Sequence, residues 1–385
     1  MIQTASLAWL EDVLENKFGA RPVVKNAGPI EEASHGFTAR IRRVGLDWKT
    51  TTSNKDLPKT VVIKEPAMGM VLDAFAACSG ENAEDDKENN MAKRMQMFQA
   101  MVHKTEASMY GLFEKEKSPL PMPQCYASFD VGTEHPAIVM EDITEATVYD
   151  VVDGFNENQI LSIIDAIVDL HLFSFTNDKW RAVEFMMSDD EDAGFGAIFT
   201  NFLTNLVKTN PDAADKWGRV LSHVSNPEFF NKYTKDCASN PHGVLVHGDM
   251  WSPQFLWRGD SLAAIVDWQI SHPGSPAEDY LRLSTLCMPA GERKRLNSRF
   301  LKYYHAKLTE RFADKGVPTP FSFEAFMEEY KQALPYTVMM DTFALCMWSN
   351  SSVLNTGSED DEKRKGAIFE RVFAVVEECL EAHGW

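Results

Sequence analysis

The stretch that most constrains the fold is 244–267, in the second half of the chain. Its pattern predicts a short apolar strand, a loop that holds Asp249, and a hairpin whose Gly-Asp turn at 259–260 joins two further strands. The hairpin brings the strand ends that carry Asp249, Gln254 and Asp267 close together. Two carboxylates and one amide at converging strand ends can hold a divalent metal and position a hydroxyl nucleophile. This arrangement indicates phosphoryl transfer, in which a protein mainly positions groups and neutralises charge.

The motif around Asp249 resembles the catalytic loop of the kinase-like phosphotransferases, which include aminoglycoside phosphotransferases and choline kinases. It reads His247-Gly-Asp249, with an amide five positions later at Gln254 and with Asp267 18 positions after Asp249. The sequence His-Gly-Asp-Met-Trp-Ser, followed by Pro-Ala-Glu-Asp-Tyr at 276–280, is similar to the CHK kinase-like, or ecdysteroid-kinase-like, branch. The resemblance therefore names both a superfamily and a branch.

The resemblance implies an α+β, bilobal protein-kinase-like fold. A small antiparallel-sheet N-lobe would carry one helix C, and a large C-lobe would be mostly helical. The nucleotide-binding lobe would comprise residues 1–141, and the catalytic and substrate-binding lobe residues 142–385. A chain of 385 residues is long enough for two such lobes. The expected features occur between residues 30 and 283 in the required order: turn, strand Lys, helix Glu, hinge, catalytic loop and metal-binding Asp.

The resemblance also assigns the residues that bind ATP. The turn expected to cover the phosphates consists of Ser34, His35, Gly36 and Phe37. Gly36 lacks a Cβ, so backbone N–H groups there can approach phosphate closely. Lys64, at the end of an apolar strand, would reach the phosphates and be oriented by Glu106 of helix C, with Glu114 as a less favoured alternative. The hinge whose backbone meets the adenine edge comprises Met140, Glu141 and Ile143.

The catalytic and metal-binding roles follow from the same resemblance. Asp249 would orient the substrate hydroxyl and accept its proton, and His247 of the same tripeptide is counted as catalytic. Asp267 would bridge Mg²⁺ to the β- and γ-phosphates, with Gln254 as a second metal ligand. Asp279 would hold the catalytic loop by hydrogen bonds, which is a structural role.

Gln254 departs from the family pattern, which has Asn at this position. Mg²⁺ demands near-octahedral geometry, and the extra methylene of Gln moves the carbonyl oxygen outward. One hypothesis is an ATP- and Mg²⁺-dependent phosphotransferase acting on a small-molecule alcohol. The alternative is a catalytically impaired, pseudokinase-type module that binds a nucleotide or ligand. The presence of Lys64, Asp249 and Asp267 favours the active enzyme. A peptide kinase is disfavoured because the chain lacks HRD, DFG and APE motifs.

The acceptor is predicted only by class, as a steroid, a glycoside or an amino alcohol such as choline. Trp251, Trp257 and Trp268 flank the site residues. Strand alternation places Trp268 on the face opposite Asp267, which indicates a core position. An aromatic and acidic pocket suits a quaternary ammonium, whereas a flat apolar pocket suits a steroid or glycoside. The branch resemblance favours the second group.

Composition excludes several other classes of partner and site. A formal net charge of −19 argues against nucleic acid and against an anionic membrane surface. The six cysteines form no CxxC pair, which disfavours a zinc site or a disulfide framework. No signal peptide and no apolar run long enough to span a bilayer is recognised. A cytoplasmic protein is expected, and the sequence does not predict its oligomeric state.

Overall fold

The computed structural model describes residues 7–30, 38–49, 57–67, 85–185, 213–224 and 227–385. The strands are β1 Pro22–Pro29, β2 Ala39–Trp48, β3 Thr60–Pro66, β4 Cys125–Phe129, β5 Ala137–Glu141, β6 Thr147–Val148, β7 Val244–Val246, β8 Phe255–Arg258, β9 Ser261–Ile265 and β10 His272–Gly274. The helices are α1 Ala8–Phe18, α2 Asp85–Glu116, α3 Glu157–Thr176, α4 Ala214–Val224, α5 Pro227–Ser239, α6 Glu278–Leu286, α7 Ala290–Asp314, α8 Phe323–Ser349 and α9 Asp361–His383. The predicted α+β architecture is confirmed, because an antiparallel sheet is followed by a mostly helical part.

The N-terminal sheet has the order β1-β2-β3-β5-β4, and each neighbouring pair of strands is antiparallel. Side chains alternate between the two faces of β3. Val61 and Ile63 pack with Leu10 of α1 in one apolar cluster. Val62, on the other face, belongs to the larger cluster that includes residues of α2. Lys64 therefore points to the face that α2 covers.

Helix α3 is a core helix of the C-terminal part. It begins with a capping box, in which the Asn156 side chain accepts from the Gln159 N–H and the Gln159 side chain accepts from the Asn156 N–H. By length and composition it is apolar enough to cross a membrane, contrary to the sequence expectation, but 56% of its apolar window is buried inside the protein. His171 is fully buried, with Nδ1 2.7 Å from the Tyr304 hydroxyl. Burial lowers the pKa of His171 to about 3, so this histidine is neutral.

Helix α8 continues through Pro335, where the sequence predicts a kink. Proline has no N–H, so the carbonyl of Lys331 loses its ordinary intrahelical donor. A ring nitrogen of His383, at the end of α9, lies 2.9 Å from that carbonyl oxygen and replaces the missing donor. Packing against α9 thus compensates for the proline. The helical pattern expected around 199–206 lies outside the described residues.

The predicted hairpin is formed by β8 and β9, with Phe255 opposite Ile265. Its strands are shorter than expected at the ends that carry Gln254 and Asp267. Gln254 closes a short 3-10 turn after Pro253, which cannot donate to a strand ladder. Asp267 has a positive φ of 70°, which takes it out of strand geometry. Both side chains consequently lie just beyond the hairpin.

Candidate active site

The loop between β7 and β8 carries Asp249 and is held by main-chain constraints. Gly248 has a φ of 83°, and a Cβ on it would lie 2.7 Å from the carbonyl oxygen of Ile270, so the position requires glycine. The buried carboxylate of Asp279 accepts the N–H groups of His247 and Gly248 at 2.8 and 2.9 Å. Burial raises the pKa of Asp279 to about 7, and these two bonds oppose the rise. Asp279 thus makes the loop contacts that the resemblance implies.

His247 has no exposed surface, and the main chain engages both its ring nitrogens. Nε2 lies 2.9 Å from the carbonyl oxygen of Val266, and Nδ1 lies 3.2 Å from the Asp249 amide nitrogen. Nε2–H therefore donates and Nδ1 accepts, which fits a neutral imidazole. Burial lowers the pKa of His247. The main chain therefore fixes the orientation of the His247 ring, and the catalytic role expected for it stays a prediction.

The Asp249 carboxylate is 12% exposed and has partners on both oxygens. Oδ1 accepts from the Arg282 guanidinium at 2.8 Å. Oδ2 accepts from the Trp251 indole N–H at 3.2 Å and from the Gln254 amide at 3.3 Å. The orientation of the carboxylate is therefore fixed, and a polar side chain contacts each oxygen.

Gln254 lies between the two carboxylates that the sequence predicts to converge. Its Nε2 lies 3.3 Å from Oδ2 of Asp249 and 3.1 Å from Oδ2 of Asp267. The main chains are joined as well, because the Val266 N–H donates to the Gln254 carbonyl at 3.0 Å. Although Gln254 is one methylene longer than the Asn of the family pattern, its amide group still lies between the two carboxylates.

Lys64 connects the N-terminal sheet to Asp267, which follows β9. Its Nζ lies 2.6 Å from Oε2 of Glu106 on α2 and 2.6 Å from Oδ1 of Asp267. Burial opposes the charge on the ammonium, but the two carboxylates outweigh burial and raise the pKa of Lys64. Glu106 is only 2% exposed, and burial raises the pKa of its carboxyl against the opposing effect of Lys64. The alternative residue Glu114 instead pairs with Lys17 of α1.

The predicted hinge residues lie where the sheet ends. Met140 and Glu141 are the last residues of β5, and Ile143 follows in the segment before β6. The neighbouring Asp142 forms a two-pronged ion pair with Arg43 of β2, at 2.7 and 3.0 Å. Ser34, His35, Gly36 and Phe37, predicted to cover the phosphates, lie outside the described residues.

The aromatic environment differs from the sequence expectation. Trp257 and Trp268 are fully buried, so neither lines an open pocket, and the predicted core position of Trp268 is confirmed. Trp251 stacks on Trp348 of α8 with a centroid distance of 4.5 Å and an interplanar angle of 25°. Sequence reasoning missed Trp348 and Arg282. The only local signal was for Arg282, which follows Asp279 by one helical turn.

We expect Asp279→Ala to lower the free energy of unfolding by about 2–4 kcal/mol, because two buried N–H groups lose their acceptor. Urea unfolding measures the change. Asp260→Ala, in the exposed hairpin turn, is the matched control and should leave stability within about 0.5 kcal/mol of the wild type. Equal stability of the two variants would contradict the role of Asp279 in holding the loop.

Comparison with solved structures shows that this is the fold of the kinase-like phosphotransferases. A crystal structure from Ralstonia eutropha, provisionally described as an aminoglycoside phosphotransferase, matches with a TM-score of 0.50 and 14% identity. The match covers 98% of each chain. A family model described as DUF1679, "Uncharacterized oxidoreductase dhs-27", matches residues 14–385, so the chain belongs to the DUF1679 family.

Two proteins of Caenorhabditis elegans are similar in sequence. The uncharacterized oxidoreductase dhs-27 is 25% identical over 326 residues, which are 80% of this chain but only 38% of that protein. An uncharacterized kinase-like protein is 22% identical over 363 residues, which are 90% of this chain and 91% of the relative. The kinase-like relative, together with the family and fold matches, confirms the predicted kinase-like superfamily.

Proposed function

We propose that this protein transfers the γ-phosphoryl group of ATP to a hydroxyl group of a small-molecule alcohol. The observation that carries the proposal is the contact set among Lys64, Glu106, Asp249, Gln254 and Asp267. These five residues come from four separate parts of the chain and meet through hydrogen bonds or ion pairs of 2.6–3.3 Å. The kinase-like fold supports the same activity.

Asp249 is proposed to act on the acceptor. Its carboxylate would orient the hydroxyl and receive its proton as the new bond from oxygen to the γ-phosphorus forms. The bond from the γ-phosphorus to the β–γ bridging oxygen breaks, and ADP leaves. Fixing the reacting groups in line accounts for much of the catalytic power of such sites.

Lys64 would steady the phosphates of the nucleotide. An ammonium is a compact point charge that suits phosphate oxygens, and Glu106 orients it from α2. Residues 1–141 would form the nucleotide-binding lobe, with the backbone of Met140, Glu141 and Ile143 at the adenine edge. Residues 142–385 would provide the catalytic loop and the acceptor site.

The side chains at the loop fit a magnesium ion. Asp267 offers a carboxylate, and Gln254 would offer its amide oxygen after a half-turn of the amide group. These are the hard donors that Mg²⁺ prefers, and substrate phosphates usually complete such a site. Within the described residues, no group of three or more His, Cys, Asp or Glu side chains could hold a metal ion. When bound, the ion would supply charge neutralisation to the phosphates.

The acceptor is proposed by class as a steroid, a glycoside or an amino alcohol, and the resemblance to the CHK branch favours the first two. The stacked pair Trp251 and Trp348 lies beside the Asp249 carboxylate, to which the Trp251 N–H donates. Both indoles are buried, so they support the position of Asp249 and do not themselves select the acceptor. Oxidoreductase activity is not proposed, since this chain spans 38% of the relative that carries that description.

The alternative function is a nucleotide-binding module without turnover. The amide nitrogen of Gln254 faces both carboxylates, and an amide in this orientation donates hydrogen bonds to them without presenting an oxygen to a metal. Rotation of the amide by half a turn would reverse this and offer the oxygen. The two functions therefore differ in the state of one side chain.

The wild type and Gln254→Asn distinguish the two functions. We expect the wild type to release ADP from ATP with Mg²⁺ present, and Gln254→Asn to change kcat by less than about tenfold, or about 1.4 kcal/mol. The assay measures nucleotide binding and ADP formation over a panel of steroids, glycosides and amino alcohols. Nucleotide binding without turnover in the wild type, restored by Gln254→Asn, would establish the binding module instead.

A further inference from the structure

Arg282 connects Asp249 to a helix far downstream in the sequence. From α6, its Nη2 lies 2.8 Å from Oδ1 of Asp249 and its Nη1 lies 2.5 Å from Oδ1 of Asp341 on α8. The three side chains are 8%, 12% and 0% exposed, respectively. One buried guanidinium thus joins the proposed proton acceptor to a fully buried second carboxylate.

Stability alone does not explain this arrangement. Removing two charges from water costs several kcal/mol per ion, so well-packed apolar side chains often stabilise a core equally well. What a guanidinium adds is geometry, because its planar fork fixes the direction of each carboxylate that it contacts. At Asp249 the fork occupies Oδ1, which determines where Oδ2 lies.

Asp341 forms the second ion pair of Arg282. It holds Nη1, so the guanidinium cannot rotate away from Asp249 without breaking a buried ion pair. The two carboxylates also share one cation, which leaves Asp249 with less than a full compensating charge. Asp341 and Trp348 lie seven residues apart on the same face of α8, and Trp348 stacks on Trp251 beside Asp249.

We propose that Arg282, held by Asp341, is the positioning residue of Asp249, fixing the carboxylate so that Oδ2 faces the acceptor hydroxyl. The proposal rests on the phosphotransferase function proposed above. Arg282 touches neither nucleotide nor acceptor in this account. It acts only through the orientation of Asp249, so its loss should affect turnover and spare nucleotide binding.

The test compares Arg282→Met and Arg282→Lys with a matched control, Arg293→Met. Arg293 is also a buried arginine in an ion pair, with Glu378 at 2.5 Å, but within the described residues it forms no hydrogen bond or ion pair with Asp249 or Asp341. We expect Arg282→Met to lower kcat by about 10²-fold, the effect of misplacing a reacting group by about 1 Å, with unchanged affinity for magnesium and an ATP analogue. Arg282→Lys should recover part of the loss, whereas Arg293→Met should keep the kcat of the folded fraction.

Equal kcat values for folded Arg282→Met and Arg293→Met would overturn the proposal. A readout independent of turnover comes from crystal structures of the wild type and Arg282→Met. The Asp249 carboxylate should leave its position in the variant, and an unmoved carboxylate would also overturn the proposal. A wild type without ATP turnover would refute the proposed function alone, because these two structures still test the positioning.

Discussion

Replacement of Asp249 by Asn should lower kcat by about 10³-fold, within the range attributed to a general base, and leave nucleotide affinity nearly unchanged. The amide cannot accept the hydroxyl proton, although it keeps the shape of the carboxylate. It also places a donor beside the Arg282 guanidinium or the Trp251 indole, both of which now donate to the carboxylate. Coupled detection of ADP gives kcat, and calorimetry gives the affinity.

Asp260→Asn is the matched control for this result. It makes the same chemical change in the exposed turn of the adjoining hairpin, so kcat and nucleotide affinity should equal those of the wild type. Loss of activity in both variants would indicate a disturbed hairpin. Full activity of Asp249→Asn would remove Asp249 from the chemistry.

Asp267→Asn should weaken nucleotide binding, whereas Asp249→Asn should lower kcat and keep the nucleotide affinity. The change removes the carboxylate proposed to bind Mg²⁺ and one of the two carboxylates that pair with Lys64. We expect the Kd for an ATP analogue with magnesium to rise on the order of 100-fold. Changing a residue that only supports a metal ligand lowers metal affinity by about 10- to 100-fold, and loss of the ligand itself should have at least that effect. Glu106 still pairs with Lys64, so the variant should fold.

Calorimetric titration with and without EDTA measures this effect. In the wild type, chelation of magnesium should weaken binding strongly, whereas Asp267→Asn should bind weakly under both conditions. Asp260→Asn again serves as the control. A variant that retains the magnesium-dependent affinity of the wild type would show that Asp267 does not bind the metal.

Turn chemistry and the family resemblance together predicted which of the candidate site's side chains lie near one another. The family resemblance paired Lys64 with Glu106, and the two side chains lie 2.6 Å apart in the structure. The Gly-Asp turn fixes the hairpin, and its closure brings Gln254 and Asp267 within 3.1 Å. The hairpin contact follows from a turn signal of two residues, whereas the pairing of Lys64 with Glu106 was predicted from the resemblance.

The contacts that escaped prediction join elements far apart in the chain. The pairing of Arg282 with Asp341 depends on how α6 packs against α8, and neither helix carries a pattern that specifies its partner. The stacking of Trp251 on Trp348 has the same origin. For His247, the tripeptide motif suggested catalysis, but only the fold shows that the main chain engages both ring nitrogens.

The most direct test of the proposed site is a crystal structure with Mg²⁺ and a non-hydrolysable ATP analogue. The proposal predicts the ion about 2.1 Å from oxygens of Asp267 and Gln254. It also predicts the phosphates beside Lys64 and the γ-phosphate facing Asp249. A nucleotide bound elsewhere, or a metal that does not contact Asp267, would contradict the assignment of this site to phosphoryl transfer.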